Sequence, residues 1–191
     1  MKLNQMSKIK RITAFIGFEG SGKDFSTNQL LNYIQGSIRI GMSDGIRKEA
    51  FEQMGIEPIY GTEYEKWKTE LCGYDGFTGR DLLKEIGEGR RKDNPYVWSE
   101  KWFETCLELK PKDIIVNDCR FWHEVRAIIR FATEYGYKFD FVYCQYPSER
   151  LRVSNEKQDM LAYKFHLLNA IHYSVITPQI KEMASYCSDK I

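Results

Sequence analysis

Residues 17–23 of this chain read Gly17-Phe18-Glu19-Gly20-Ser21-Gly22-Lys23, set between a β-branched apolar run, Ile12 to Phe18, and a helix-like stretch, Asp24 to Ile34. This G-x-x-x-x-G-K spacing admits few folds. The glycines let the backbone turn its N–H groups inward around an anion, the lysine reaches over the same hollow, and the helix adds its positive N-terminal end. A bare match of three fixed positions arises by chance in roughly one chain of this length in twenty, and the flanking strand and helix cut that several-fold. The segment therefore predicts a nucleoside triphosphate held through its phosphates by Glu19, Gly20, Ser21, Gly22 and Lys23.

The next residue departs from the common pattern. Asp24 stands where Ser or Thr normally offers a hydroxyl to Mg²⁺. Asp24 could hold the ion through water, or Ser26 or Thr27 one turn on could help. Equally, Asp24 could simply cap the helix, its charge favoured by the helix dipole.

A chain of 191 residues is long enough for a single α/β domain with a proper core and a small insert, and too short for two full domains. Its 28 Lys+Arg balance 27 Asp+Glu, which argues against a protein that coats nucleic acid. The five cysteines, Cys72, Cys106, Cys119, Cys144 and Cys187, are widely spaced and lack a C-x-x-C pair, so reduced thiols in a cytoplasmic protein fit better than disulfides or zinc. The apolar run near the N-terminus is cut by Glu19 without small cleavage-site residues after it, which does not suit a secretory signal. No apolar run approaches the ~20 residues that a membrane span needs, so no membrane partner is expected.

Three segments have the β-branched or aromatic character of buried parallel strands: Arg11 to Gly17, Asp113 to Asn117 and Lys138 to Gln145, with Ser37 to Ile40 a weaker fourth. Helical periodicity covers Asp24 to Ile34, Asp44 to Met54, Glu63 to Cys72, Asp81 to Arg91, Val97 to Leu109 and Phe121 to Tyr135, with a further run from Ser148 that breaks near Pro178. Thr78 ahead of Asp81 makes a capping-box-like start. The alternation predicts an α/β fold of the three-layer P-loop NTPase kind, a parallel sheet flanked by helices, with ligands at the carboxyl ends of the strands. The strandless interval at about 44–109 is the place for a helical substrate-binding insert within one domain, 1–191.

Asn117-Asp118-Cys119-Arg120 follows directly on a predicted strand. Asp118 should therefore lie at the strand's carboxyl end facing the loop, where a carboxylate can hold Mg²⁺ or accept a proton, and Arg120 suits bidentate phosphate binding. A second polar cluster comprises Arg80, Gly87-Glu88-Gly89-Arg90-Arg91 and Trp98. The two glycines should weaken their helix, which is tolerable where backbone approaches a ligand. Trp98 could stack a base or bury in the core.

Together, Gly22-Lys23-Asp24, Ser43-Asp44-Gly45-Ile46-Arg47, the stretch from Thr78-Gly79-Arg80-Asp81-Leu82-Leu83 to Gly87, Arg91 and Trp98, and Asn117-Asp118-Cys119-Arg120-Phe121 with Glu124 resemble the bacteriophage deoxynucleoside monophosphate kinases, in order and approximate spacing, over roughly residues 10–145. The resemblance implies ATP-dependent transfer of a γ-phosphoryl group to a deoxynucleoside monophosphate, with Mg²⁺, in the cytoplasm of a host cell. It implies that Gly20, Gly22, Lys23 and Asp24, with Phe25 beside them, hold ATP and metal, the latter shared with Asp118. It further implies that Asp44, Arg47, Arg80, Gly87, Trp98, Asp118, Arg120 and Glu124 surround the acceptor, with Arg90 or Arg91 on phosphate. Phe25 departs from the hydroxyl residue common at its position in that family. Arg150 and Arg152 follow the last predicted strand, where lid arginines often lie, although a solvated helix face explains them equally well. A homodimer is left open, and small nucleotides are the implied partners.

Phosphoryl transfer asks for an in-line donor and acceptor, neutralised equatorial oxygens and exclusion of water. Lys23, Arg91, Arg120 and Asp118 are the catalytic candidates. An ionised phosphate acceptor needs no strong base, which favours Asp118 as a metal or nucleotide ligand. A switch GTPase is disfavoured, because Asn155-Glu156-Lys157-Gln158-Asp159 resembles the N-K-x-D guanine motif only with an extra residue inserted. The remaining rivals are a kinase of another small phosphorylated acceptor and a catalytically silent nucleotide-binding protein.

Overall fold

The computed structural model describes residues 9–17, 21–73 and 75–144. Glu19, Gly20, Arg150, Arg152 and the run from Ser148 lie outside the described residues. Four strands, β1 (Lys10–Ile16), β2 (Ser37–Arg39), β3 (Asp113–Val116) and β4 (Tyr137–Tyr143), form a single sheet in the order β2-β3-β1-β4, and every neighbouring pair is parallel. The helices among the described residues are α1 (Lys23–Tyr33), α2 (Asp44–Met54), α3 (Gly61–Thr69), α4 (Gly79–Asp93), α5 (Val97–Leu109) and α6 (Trp122–Tyr135). This is the three-layer α/β arrangement with a G-x-x-x-x-G-K loop between β1 and α1.

The chain divides into two compact units, Met42–Glu104 and the remainder, and the division falls within α5. In the sheet unit, the register explains the layers. Thr13 pairs with Ile115 and Phe15 with Val142, which puts these side chains on one face, where Phe15, Ile115, Val142 and Cys144 bury Leu30 of α1. Ile12, Ala14 and Ile16 alternate to the other face, and α6 packs over β4 and β1 with Val125, Ile128, Phe131 and Ala132 buried. Each fully buried Ile or Phe contributes about 1.5–3 kcal/mol. The central strands β1 and β3 carry buried residues on both sides because both faces are covered there.

The strand order also locates a crevice. From β1 the chain crosses to β2 on one side, and from β3 it crosses to β4 on the other, so the loops that leave the adjacent strands β1 and β3 part in opposite directions. In open parallel sheets, ligands bind outside the carboxyl ends at such a reversal.

The helical unit holds together by another cluster: Ile46 and Ala50 of α2, Leu82 and Ile86 of α4, and Trp98 of α5. Gly79 allows α3 and α4 to meet closely, since a Cβ there would come within 2.6 Å of the Trp67 ring.

Several boundaries differ from the sequence expectation. Thr78 caps α4 as foreseen: its hydroxyl accepts from the Asp81 amide at 3.2 Å while Asp81 accepts from the Thr78 amide at 3.2 Å. The helix therefore begins at Gly79, before the predicted Asp81. The predicted Glu63 to Cys72 helix ends at Thr69, because Leu71 bridges antiparallel to Thr78 and the Cys72 amide donates to the Phe77 carbonyl at 2.8 Å. The last strand starts at Tyr137, one residue early, because Gly136 takes a left-handed φ of 70° and turns α6 straight into it. Gly87 and Gly89 do not break α4, which runs unbroken through both.

Candidate functional site

Gly22 is the N-cap of α1 and has φ 85°, ψ 14°, a left-handed conformation natural to glycine. That turn lets Lys23 begin the helix and fold its side chain back across the loop. The Lys23 ammonium donates to the Gly17 carbonyl at 2.8 Å and to Ser21 Oγ at 3.5 Å. Only 9% of the residue is exposed. Burial, followed by the positive charge of Arg120, holds its pKa below the usual lysine value despite Asp24 and Asp118. A phosphate group would relieve both penalties. Gly17 is required for space: a Cβ there would lie 2.5 Å from both the Cys144 carbonyl oxygen and Ser21 Oγ.

Asp118 is buried at the β3 end, with Cys119 fully buried beside it. Burial, then the charges of Glu124 and Asp118, push the Cys119 thiol well above its ordinary range, so it is not a thiolate nucleophile. Glu124, 2% exposed, accepts from the backbone amides of Arg120 at 2.6 Å and Phe121 at 2.9 Å. Sequence resemblance had put Glu124 against the acceptor; in the structure its carboxylate is occupied in holding the 120–121 backbone at the start of α6 and fixes where Arg120 departs. The Arg120 residue itself is exposed.

Two further residues join this site that sequence reasoning did not single out as ligands. Arg39, at the end of β2, donates to Asn117 Oδ1 at 3.3 Å, and Asn117 Nδ2 donates to Asp24 Oδ1 at 2.5 Å. The short stub of β2 gave no reason to favour Arg39 over any other surface arginine. Gly41 lies beneath the group: a Cβ there would meet Arg39 Nη1 at 2.9 Å, Asp118 Oδ2 at 3.0 Å and Asn117 Oδ1 at 3.2 Å.

Asp24 and Asp118 supply hard carboxylate oxygens that fit Mg²⁺, an ion usually held by one or two carboxylates with water and phosphate oxygens completing the shell. No cluster of three or more His, Cys, Asp or Glu that could hold a metal occurs among the described residues. Ser26 and Thr27, the hydroxyl residues one turn on, are buried in α1. They are 2% and 1% exposed, on the sheet-facing stripe of α1 with Lys23 and Leu30. Phe25 is 54% exposed on the adjoining surface.

In the helical unit, two of the acceptor candidates prove to be core. Trp98 is 1% exposed among Ile46, Ala50, Leu82 and Ile86, its indole N–H donates to the Gly87 carbonyl at 3.0 Å, and Lys101 lies over its ring at 4.8 Å. No face is left for a base. Gly87 is small because Ile46 packs on it, at 3.2 Å from where a Cβ would stand. Arg47 pairs with Asp44 at 2.8 Å, takes in Ser43 at 3.0 Å and lies 5.6 Å from the centroid of the Tyr64 ring, so two candidates are joined to each other. Arg90 Nε donates to Glu49 at 2.8 Å, and Lys101 reaches the same carboxylate at 3.2 Å. Burial alone would raise the Glu49 carboxyl, but hydrogen bonds from Arg90 and Lys101 outweigh it and hold it below its usual value. Arg80 is exposed in the first turn of α4, and Arg91 is half-buried.

No protein-family model and no curated protein matches the chain. Among solved structures, it is similar to the APS kinase CysC of Mycobacterium tuberculosis at 13% identity and a TM-score of 0.44, covering 95% of this chain and 96% of that one. It is also similar to chains of the Pnkp1/Rnl/Hen1 complex, described as an RNA repair complex, at 13% identity and a TM-score of 0.37. The chain spans about half the length of those, 46% and 48%. Among the described residues, no helix is long and apolar enough to cross a membrane.

Proposed function

We propose that this chain is a kinase that transfers the γ-phosphoryl group of ATP to a deoxynucleoside 5'-monophosphate, giving ADP and dNDP. The observation that carries the reading is the bond from the Asn117 amide to Asp24 at 2.5 Å, which brings the 117–120 segment after β3 to the head of α1, next to Lys23. Lys23 feels the charge of Arg120 first among its neighbours, and those of Asp24 and Asp118 as well. Two cations and two carboxylates beside the G-x-x-x-x-G-K segment suit a polyphosphate with its divalent counterion.

In this reading an oxygen of the acceptor phosphate attacks the γ-phosphorus, the bond to the β,γ-bridging oxygen breaks, and ADP leaves with that oxygen. Lys23 and Arg120 neutralise charge spread over the equatorial oxygens. Asp24 and Asp118 would hold Mg²⁺, which supplies further charge neutralisation on the donor phosphates when bound. Glu124 keeps Arg120 in register through the backbone. Arg80, Arg91 and the Asp44–Arg47 pair are assigned to the acceptor through the family resemblance.

One observation favours a second reading. The burial of Trp98 removes the base-stacking residue that pointed to a nucleotide, which leaves a kinase of another small phosphorylated acceptor as the alternative. Coupled ADP release is measured with dNMPs, NMPs, non-nucleotide phosphorylated acceptors and no acceptor. Stimulation by dNMPs supports the proposal, stimulation only by a non-nucleotide supports the alternative, and a flat rate with tight ATP binding rejects both.

A further inference from the structure

Asp24 does not stand alone at the head of α1. Register explains why: Arg39 pairs with Ile115 across β2 and β3, and Asn117 lies two residues beyond Ile115, so Arg39 can reach along the sheet to it. Ile115 belongs to the face that packs Leu30 of α1, which brings Asn117 beneath the first turn of that helix. The polarity of the chain of contacts is then determined chemically. A guanidinium can only donate and a carboxylate only accept, so the Asn117 amide must turn its oxygen to Arg39 and its nitrogen to Asp24. The observed distances, 3.3 Å and 2.5 Å, follow that assignment.

We propose that Asn117 is a positioning residue for Asp24: oriented by Arg39, its amide takes up Asp24 Oδ1 and commits Oδ2 to a divalent cation on the bound nucleotide. The inference rests on the kinase reading only through the metal-binding role of Asp24. It accounts for the departure after the loop lysine. A hydroxyl at that position is short and fixed by the helix, whereas a carboxylate has a further torsion and gains from an anchor. It also accounts for Gly41, since any side chain there would push Arg39, Asn117 and Asp118 apart.

The test needs no acceptor and no turnover. ADP affinity is measured by calorimetry with and without Mg²⁺ in the wild type, Asn117→Leu, Arg39→Met and Asp24→Asn, each checked for a cooperative thermal transition. Partners of metal ligands typically carry about 10- to 100-fold in metal affinity. Asn117→Leu is expected to lose about tenfold or more of the Mg²⁺ enhancement while metal-free ADP affinity stays put, Asp24→Asn to lose at least as much, and Arg39→Met to lose a few-fold. An unchanged enhancement in folded Asn117→Leu or Asp24→Asn overturns the proposal, as does an equal loss with and without metal. Should Asn117→Leu not fold, Arg39→Met decides by the same criterion. A wild type that binds MgADP yet phosphorylates no dNMP ends the acceptor assignment alone. Active dNMP kinase with an unaltered enhancement in Asn117→Leu ends this inference alone.

Discussion

The Lys23 ammonium donates to the carbonyl of Gly17 at 2.8 Å, tying the last residue of the phosphate loop to its first. The tie keeps a buried cation in place, and it has a cost that can be measured. Because burial and then Arg120 lower the pKa of Lys23, the unfolded chain binds this proton more tightly than the folded one. The penalty is fully present below the folded pKa and fades as pH rises through the window up to the ordinary value of 10.5. Lys23→Met should therefore be more stable than wild type near neutral pH, by a margin that narrows towards pH 10.5 in urea titrations, while turnover falls by several orders of magnitude. A folded variant with near-normal turnover would remove the loop from catalysis.

Gly17→Ala tests the same loop through space alone. The added methyl meets the backbone oxygen of Cys144 at 2.5 Å, and backbone yields less readily than a side-chain tip. Overpacking of this kind costs about 1–3 kcal/mol. Equilibrium unfolding should show that loss together with weakened ATP binding, whereas wild-type stability would mean that β4 relaxes away freely.

How much of this was legible beforehand depended on the range of the forces involved. Phosphate-loop spacing, the capping box at Thr78 and the strand–helix alternation are local, and each was read from neighbours in sequence. The sheet order, with β3 between β2 and β1, needs pairings across more than seventy residues, which no local pattern encodes. The same holds for the site. Lys23 and Asp24 declare themselves by position, but Asn117 gained its role only when the register set Arg39 on one side and Asp24 on the other. Trp98 erred the other way: a tryptophan near glycine and arginine resembles a stacking platform in sequence, and only the packing of α2 on α4 shows that its ring is enclosed.

That enclosure separates a structural from a binding role for Trp98. Trp98→Ala should cost about 3–5 kcal/mol by the usual price of emptying a core aromatic site. Trp98→Phe keeps most of the volume but loses the donor to Gly87, and should lower stability with the acceptor KM nearly unchanged. A marked rise in acceptor KM without loss of stability would restore Trp98 to the acceptor site.

Glu124→Ala should act on both stability and rate, because the buried carboxylate serves two backbone amides at once. Leaving these part-buried amides without their acceptor costs on the order of 1 kcal/mol, and the freed backbone would let Arg120 move away from Lys23. Glu124→Gln retains one acceptor oxygen, so it should recover most of the stability and part of kcat. If the two variants lose kcat equally while differing in stability, the carboxylate acts on the reaction directly rather than through Arg120.

Arg80→Ala probes the helical unit separately. Arg80 is exposed in the first turn of α4, between Thr78 and Asp81 of the capping box, and its side chain makes neither capping bond, so truncation should leave the helix and its core intact. Arg90, by contrast, is anchored to Glu49, and its removal would also strand Lys101 on a half-satisfied carboxylate. An acceptor-binding arginine should therefore show itself as a raised acceptor KM in Arg80→Ala with ATP affinity and melting temperature unchanged. In Arg90→Ala, a stability loss should accompany any kinetic effect. An acceptor KM that stays at the wild-type value in Arg80→Ala would take that residue out of the acceptor site and shift the search to Arg47 and Arg91.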